Sequence, residues 1–236
     1  MNRSDQVAPG EIFGFLGPNG AGKTTTIRMM AGLMRPTRGR ILLGGKDLAW
    51  EPEEAKSILG YIPDRPYLYE KLTGEEFLEF IAGLHLLEDK AGWKKRADEL
   101  LDFFTLRDWS RELIQGYSHG MRQRLVIIAA LLHRPRVLIV DEPVVGLDPK
   151  GTRLVKSLFQ GLVRSGVTLF LSTHILDIAE EMCSRIGIIH EGQIIALGDL
   201  GGASAPSQEC GRAAGASFPK ADRGRESTGA LETLEA

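Results

Sequence analysis

The sequence predicts an α/β fold, a parallel sheet covered on both faces with a helical lobe inserted into it, and three patterns carry that prediction. Short apolar runs at 12–16, 137–140 and 167–172 are aliphatic or β-branched and end in polar or turn residues, as buried strands do. Helical stretches separate these runs, which calls for crossover connections and hence parallel pairing. Between residues 75 and 132 the pattern is helical, with segments near 75–87, 94–104 and 121–132 and no convincing strand. The inserted lobe is therefore expected over about 72–133.

Taken in order, the run Ile12–Leu16 ends in a glycine-rich stretch, 17–22, after which 24–33 reads as a helix. A strand is expected at Gly60-Tyr61-Ile62-Pro63, and 186–197 reads as a hairpin, two apolar quartets around His190, Glu191, Gly192 and Gln193. No internal repeat is visible. One domain over 1–200 is expected. From Gly201 the composition changes: Gly, Ala and Ser supply 18 of 36 residues, and only Phe218, Leu231 and Leu234 are large and apolar. Such a segment buries too little surface to offset its ordering entropy, so disorder is expected there.

At 236 residues the chain can bury a full core without staples. A net charge of -2 and a pI near 6.2 give no basic excess for a nucleic-acid backbone, and no nucleic-acid partner is expected. Cys183 and Cys210 are too few for a disulfide framework and sit in no zinc-binding cluster, which fits a reducing cytoplasm. The longest aliphatic run, 125–132, falls far short of the ~20 residues that cross a bilayer, and the polar start is no signal peptide. A soluble chain is expected, its link to a membrane running through a partner.

Gly17-Pro18-Asn19-Gly20-Ala21-Gly22-Lys23-Thr24 matches GxxxxGK[ST], with a strand before it and a helix, beginning at Thr24 and Thr25, after it. In this P-loop the glycines turn consecutive N–H groups inward as an anion nest. Lys23 reaches the β- and γ-phosphates, and the Thr24 hydroxyl can ligate Mg2+. Val137-Leu138-Ile139-Val140-Asp141-Glu142 is an apolar strand ending in two carboxylates at the sheet edge where α/β proteins bind ligands. Asp141 can hold the Mg2+ shell, and Glu142 can act as general base on the attacking water. Tyr117-Ser118-His119-Gly120-Met121 precedes a helix. Alone, Ser118 reads as its N-cap, a geometry that is also an anion site. Arg122 and Arg124 read as a solvated face. His174 follows a strand where its imidazole can hydrogen-bond a γ-phosphate or the attacking water.

In their order these motifs resemble the nucleotide-binding domains of ABC transporters over about residues 10–200. Gly17 to Thr24 is similar to Walker A, Tyr117 to Met121 to the signature, Val137 to Glu142 to Walker B, Gly146 to Asp148 to the D-loop, and His174 to the switch histidine. The resemblance implies a P-loop NTPase with a RecA-like sheet and a homodimer or heterodimer sandwiching two ATP molecules head to tail. Ser118 and Gly120 would then contact the γ-phosphate of the other subunit's ATP, with hydrolysis resetting the dimer. It further implies ATP and Mg2+ as ligands, an integral membrane permease as partner, and a place on the cytoplasmic face of the membrane.

Three positions depart from the family's pattern. Asp64 stands where the family usually has a Gln that touches Mg2+ and the water; a carboxylate there can reach the metal through a water, and altered coupling is expected. His119 and Met121 replace the usual Gly and Gln of the signature. The family also carries two strands and an adenine-stacking aromatic before its P-loop strand, about 25 residues more than 1–9 supplies. From this start an incomplete antiparallel part, an exposed sheet edge and lost adenine stacking are expected, with a divergent or out-of-frame extension after Gly198. The segment 63–72, with Tyr67 and Tyr69, is expected to meet the permease; a packed aromatic loop is the other reading. The segment 61–80 looks closest to the drug and ABC-2-type export branch. Two rivals stay open: a non-transport ABC-type ATPase, whose coiled-coil insertions, zinc cysteines or tandem cassettes are not visible here, and a nucleotide-binding regulatory subunit without turnover.

Overall fold

The computed structural model describes residues 6–200; residues 1–5 and the Gly/Ala/Ser-rich tail, on which the expectation of disorder falls, lie outside the described residues. The chain runs β1 (Ile12–Leu16), α1 (Lys23–Met30), β2 (Leu42–Leu43), β3 (Lys46–Asp47), α2 (Pro52–Ser57), β4 (Leu59–Ile62), α3 (Gly74–Leu84), α4 (Lys90–Phe103), α5 (His119–Leu131), β5 (Val137–Asp141), α6 (Pro149–Arg164), β6 (Thr168–Thr173), α7 (Leu176–Met182), β7 (Arg185–His190) and β8 (Gln193–Asp199). Two 3-10 turns, Arg107–Trp109 and Ile114–Gly116, precede α5.

A six-stranded sheet in the order β4-β5-β6-β1-β7-β8 forms the centre. All pairings are parallel except the β7–β8 hairpin, so the sheet is mixed at one edge. β1 sits between β6 and β7 with all five residues buried, which explains why Ile12–Leu16 reads as an uninterrupted apolar run. One core cluster joins a sheet face to α3, α4, α5, α6 and α7 around Ile62, Leu125, Ile127, Leu138 and Phe159. The other packs Phe13, Phe15, Ile27, Ile139 and Phe170 on the opposite face, with Phe13 and Phe170 rings stacked at 5.4 Å. The two-stranded β2–β3 ribbon lies outside the main sheet.

Several bounds differ from the sequence-based expectation, each for a local reason. α1 stops at Met30, not at 33, because Gly32 takes φ +68 and the N–H groups of Leu33 and Met34 turn back to the Arg28 carbonyl. α3 ends at Leu84, where His85 caps it and Leu86 enters the left-handed region at φ 51. α4 starts at Lys90, earlier than 94, because the Asp89 side chain accepts from the Gly92 N–H at 2.9 Å. Likewise α5 starts at His119, since Ser118 is its N-cap and accepts from the Met121 N–H at 3.3 Å.

Parallel pairing brings the carboxyl ends of β1, β4, β5 and β6 to one edge. Register places Leu16 beside Thr173, Asp141 beside Ser172, and Ile62 beside Val140. The loops leaving these ends carry the P-loop, Asp64, Glu142 and His174, which explains why residues so far apart in the chain meet.

Candidate functional site

An open pocket of about 360 Å3 lies over that edge. It gathers Pro18, Asn19, Gly20, Gly22, Lys23, Thr24 and Thr25 from the P-loop, Asp64 from the loop after β4, Glu142 from the end of β5, and His174 from the end of β6. Val145 completes the lining; sequence reading missed it, and the only signal was its place three residues after Glu142.

The loop's shape is forced at two glycines. A Cβ on Gly17 would lie 2.4 Å from the Ile189 carbonyl oxygen, so only glycine lets β1 leave the sheet beside β7. Gly22, at φ 106, is the residue before α1 and takes the left-handed conformation that swings the chain into the helix. The Lys23 ammonium, 6% exposed, folds back to donate to the Gly17 carbonyl at 2.7 Å and the Pro18 carbonyl at 3.2 Å. It also stands 3.9 Å from Glu142 Oε1.

Glu142 is 9% exposed and its backbone sits at φ 52, a left-handed conformation that costs a non-glycine residue on the order of 1 kcal/mol or more. Its N–H donates to the Ser172 carbonyl at 3.2 Å, one of the contacts that hold it there. Oε1 accepts from His174 Nδ1 at 2.8 Å, while Oε2 has no hydrogen-bond partner. An ionised carboxylate only accepts, so the proton of this bond is on Nδ1. Neutral His174 therefore keeps Nε2 as an acceptor, able to take a hydrogen bond from a water; protonated, it donates to an anion.

Asp141 is 1% exposed and does not line the pocket directly. Ser172 donates its hydroxyl to Asp141 Oδ1, and Oδ2 is buried without a hydrogen-bond partner. The unpartnered Asp141 Oδ2, together with the Thr24 hydroxyl and the Asp64 carboxylate, supplies the hard oxygen donors that suit Mg2+. Among the described residues no group of three or more His, Cys, Asp or Glu could hold a metal alone. The donors thus fit an ion shared with phosphate oxygens better than one in an all-protein cage. Burial pushes the Tyr61 hydroxyl on β4 upward, and Asp141 adds to it.

Tyr117, Ser118, His119, Gly120, Met121 and Asp148 do not line this pocket. His119 and Gly120 of this group pack against the loop after β5. A Cβ on Gly146, which sits at φ +79, would meet the His119 imidazole at 2.4 Å, and one on Gly120 would lie 3.7 Å from Leu147. Asp148 accepts from the Gly151 N–H at 3.0 Å as the N-cap of α6 and takes Arg124 Nη2 at 3.3 Å. Tyr117 is buried, donates its hydroxyl to the Trp109 carbonyl at 2.6 Å, and titrates only at about 12 because burial disfavours its anion.

Arg122 and Arg124 are not the solvated face their sequence neighbourhood suggests. Arg122 Nε donates to the Tyr117 carbonyl at 3.1 Å, Nη2 to the Gln115 carbonyl at 3.1 Å, and Nη1 to Glu70 Oε1 at 2.5 Å. Arg124, besides Asp148, donates to the Phe104 carbonyl at 3.3 Å.

A glycine loop between a buried parallel strand and its helix, facing carboxylates at the end of a strand one place removed in the same sheet, defines the P-loop α/β class. The profile of the ABC transporter family matches residues 1–145, and the chain belongs to that family. It is similar to the uncharacterised ABC transporter ATP-binding protein YhcH of Bacillus subtilis (strain 168), 43% identical over 80% of this chain and 61% of that protein. It is also similar to the bacitracin transport ATP-binding protein BcrA of Bacillus licheniformis, 42% identical over 80% of this chain and 61% of that one. A solved ATP binding subunit of an ABC transporter superposes with a TM-score of 0.78 at 39% identity, covering 82% of this chain and 80% of the other. The chain spans about three fifths of the length of these curated relatives.

Proposed function

We propose that this chain is an ATP-binding subunit that hydrolyses Mg-ATP, in a head-to-tail dimer on the cytoplasmic face of the membrane, to drive substrate through a permease. The observation that carries the reading is the alignment of Lys23, Glu142 and His174 in one pocket, with the 2.8 Å Glu142–His174 bond already made. Lys23 exchanges its backbone carbonyls for the β- and γ-phosphates. Glu142 Oε2, its unpartnered oxygen, takes the proton of a water whose oxygen attacks the γ-phosphorus. The bond from that phosphorus to the β,γ-bridging oxygen breaks, and ADP and inorganic phosphate leave. Thr24, Asp141 and Asp64 hold Mg2+, which when bound neutralises charge on the phosphate oxygens. His174 Nε2 orients the water.

The signature residues Tyr117 to Met121 and Asp148 lie off the pocket, which supports a second copy supplying them to the phosphates. Mixing a Glu142→Gln chain with Mg-ATP tests this: sedimentation as a dimer is expected, with Lys23→Ala remaining a monomer. A Glu142→Gln chain that stays monomeric at saturating Mg-ATP would remove the sandwich.

No helix among the described residues is long and apolar enough to cross a membrane, in keeping with a separate permease subunit. Tyr67 and Tyr69 are 78% and 60% exposed, and Tyr69 meets Phe80 edge-on at 5.2 Å, a patch suited to a partner protein. The relative named for bacitracin transport supports a transport role.

A further inference from the structure

The segment after β4 begins in the pocket and ends on the start of α5. Asp64 lines the pocket. Six to eight residues on, the Glu70 carbonyl accepts from the Gln115 N–H at 3.0 Å and the Leu72 carbonyl from the Ile114 N–H at 2.9 Å, while Thr73 bridges Leu113 as an antiparallel pair. One side chain ties this short ribbon to the start of α5. The planar fork of Arg122 grips the Glu70 carboxylate, the Gln115 carbonyl and the Tyr117 carbonyl together, and the Arg122 N–H belongs to the first turn of α5. Arg122 thus joins three pieces of chain: the loop from the pocket, the 3-10 turn Ile114–Gly116, and the helix that Ser118 caps. Lys71 adds a side-chain bond to Gln115 at 3.0 Å.

A second feature belongs to the same helix. Gln123 is 1% exposed, and neither of its amide atoms has a hydrogen-bond partner. α5 runs antiparallel to β4, because His133, just past its end, meets the Leu59 carbonyl at the strand's start. Gln123, about two turns before its end, therefore lies level with the carboxyl end of β4, where the segment to Asp64 leaves. A buried amide without partners beside a loop is a group that gains when the loop moves to meet it.

We propose that Arg122, through Glu70, is a positioning residue that makes the start of α5 follow the state of the pocket at Asp64. A ligand drawing Asp64 inward pulls a segment whose far end cannot slip on the 114–117 turn while Arg122 holds it. Ser118 and its neighbours then shift with the pocket. A carboxylate gripped by a guanidinium makes charge-assisted hydrogen bonds, stronger than neutral ones, and three acceptors on one rigid fork transmit displacement rather than absorb it. The proposal rests on the nucleotide reading of the pocket.

Amide hydrogen exchange on the full chain tests it, with and without the Mg2+ complex of β,γ-imido-ATP, reading segments 17–25 and 113–121. In the native chain nucleotide should protect 17–25 and change exchange at 113–121. In Arg122→Gln and in Glu70→Gln the protection of 17–25 should persist while the nucleotide-dependent change at 113–121 falls at least threefold. The double variant should lose no more than either single one. A merely structural role would raise exchange at 113–121 equally with and without nucleotide, leaving the difference intact, and that result overturns the proposal. So does a native chain protected at 17–25 and unchanged at 113–121. Absence of protection at 17–25 would show that the nucleotide reading itself is wrong, and the proposal falls with it.

Discussion

Acidification should weaken this fold through His133, and the size of the effect can be worked out. His133 stacks on His85 with ring centroids 3.8 Å apart and planes 8° from parallel, and its Nε2 lies 3.0 Å from the Leu59 carbonyl oxygen. A carbonyl only accepts, so Nε2 carries the proton and Nδ1 is the deprotonated nitrogen, buried without a partner. A second proton must therefore enter where nothing accepts it, beside His85 and near the Arg96 guanidinium. Burial, then His85, hold the imidazole down at about 4, from an ordinary 6.5. Because the folded value lies below the unfolded one, the unfolded chain binds more protons between them. The contribution is complete above pH 6.5 and is lost as pH falls toward 4. The gap is worth about 3 kcal/mol at about 1.4 kcal/mol per tenfold change in proton affinity, and partial solvent access reduces it to about 2 kcal/mol. Urea unfolding of the full chain at pH 7.5 and 5.0, beside a His133→Gln chain that keeps a donor to Leu59, isolates this contribution. The native chain should lose about 1 kcal/mol more than the variant between the two pH values. Equal losses would refute the assignment of the buried, unpartnered Nδ1.

Three further outcomes follow from particular contacts. Gly146→Ala should destabilise by about 2 kcal/mol, since its Cβ meets the His119 ring at 2.4 Å and its φ is +79. Adding His119→Gly should recover part of the loss in a thermal melt, leaving the backbone strain of about 1 kcal/mol. Ser172→Ala strips Asp141 Oδ1 of its donor and should cost about 1–3 kcal/mol, measured by urea unfolding, with no gain from added salt. Asp64→Ala should raise the Mg2+ concentration needed for half-maximal phosphate release several-fold while leaving metal-free nucleotide affinity within about twofold.

Where sequence reading succeeded, the physics was local. β1, β5 and β6 were legible because buried parallel strands are continuous apolar runs, and the P-loop because its glycines and Lys23 answer to backbone geometry within eight residues. The Asp141-Glu142 pair and His174 were legible as strand ends, and the sheet then brought them together. The β2–β3 ribbon went unread, although Gly44 and Gly45, at φ 54 and 86, mark a tight turn, because two-residue strands show no alternation. Asp148-Pro149 signalled the start of α6, with the acid as N-cap and proline in the first turn, a reading masked by its place in a recognised motif. Arg122 was misread for a different reason: its decisive partner, Glu70, is 52 residues away, and no local pattern reports a contact made only when the α5 and β4 segments fold together.

The most direct test of the central claim is phosphate release from Mg-ATP by the purified chain, measured beside Glu142→Gln and Lys23→Ala with nucleotide binding followed in parallel. The account predicts release by the native chain, loss of release with binding retained in Glu142→Gln, and loss of both in Lys23→Ala. Undiminished release by the Glu142→Gln chain would contradict the role of Glu142 as the base.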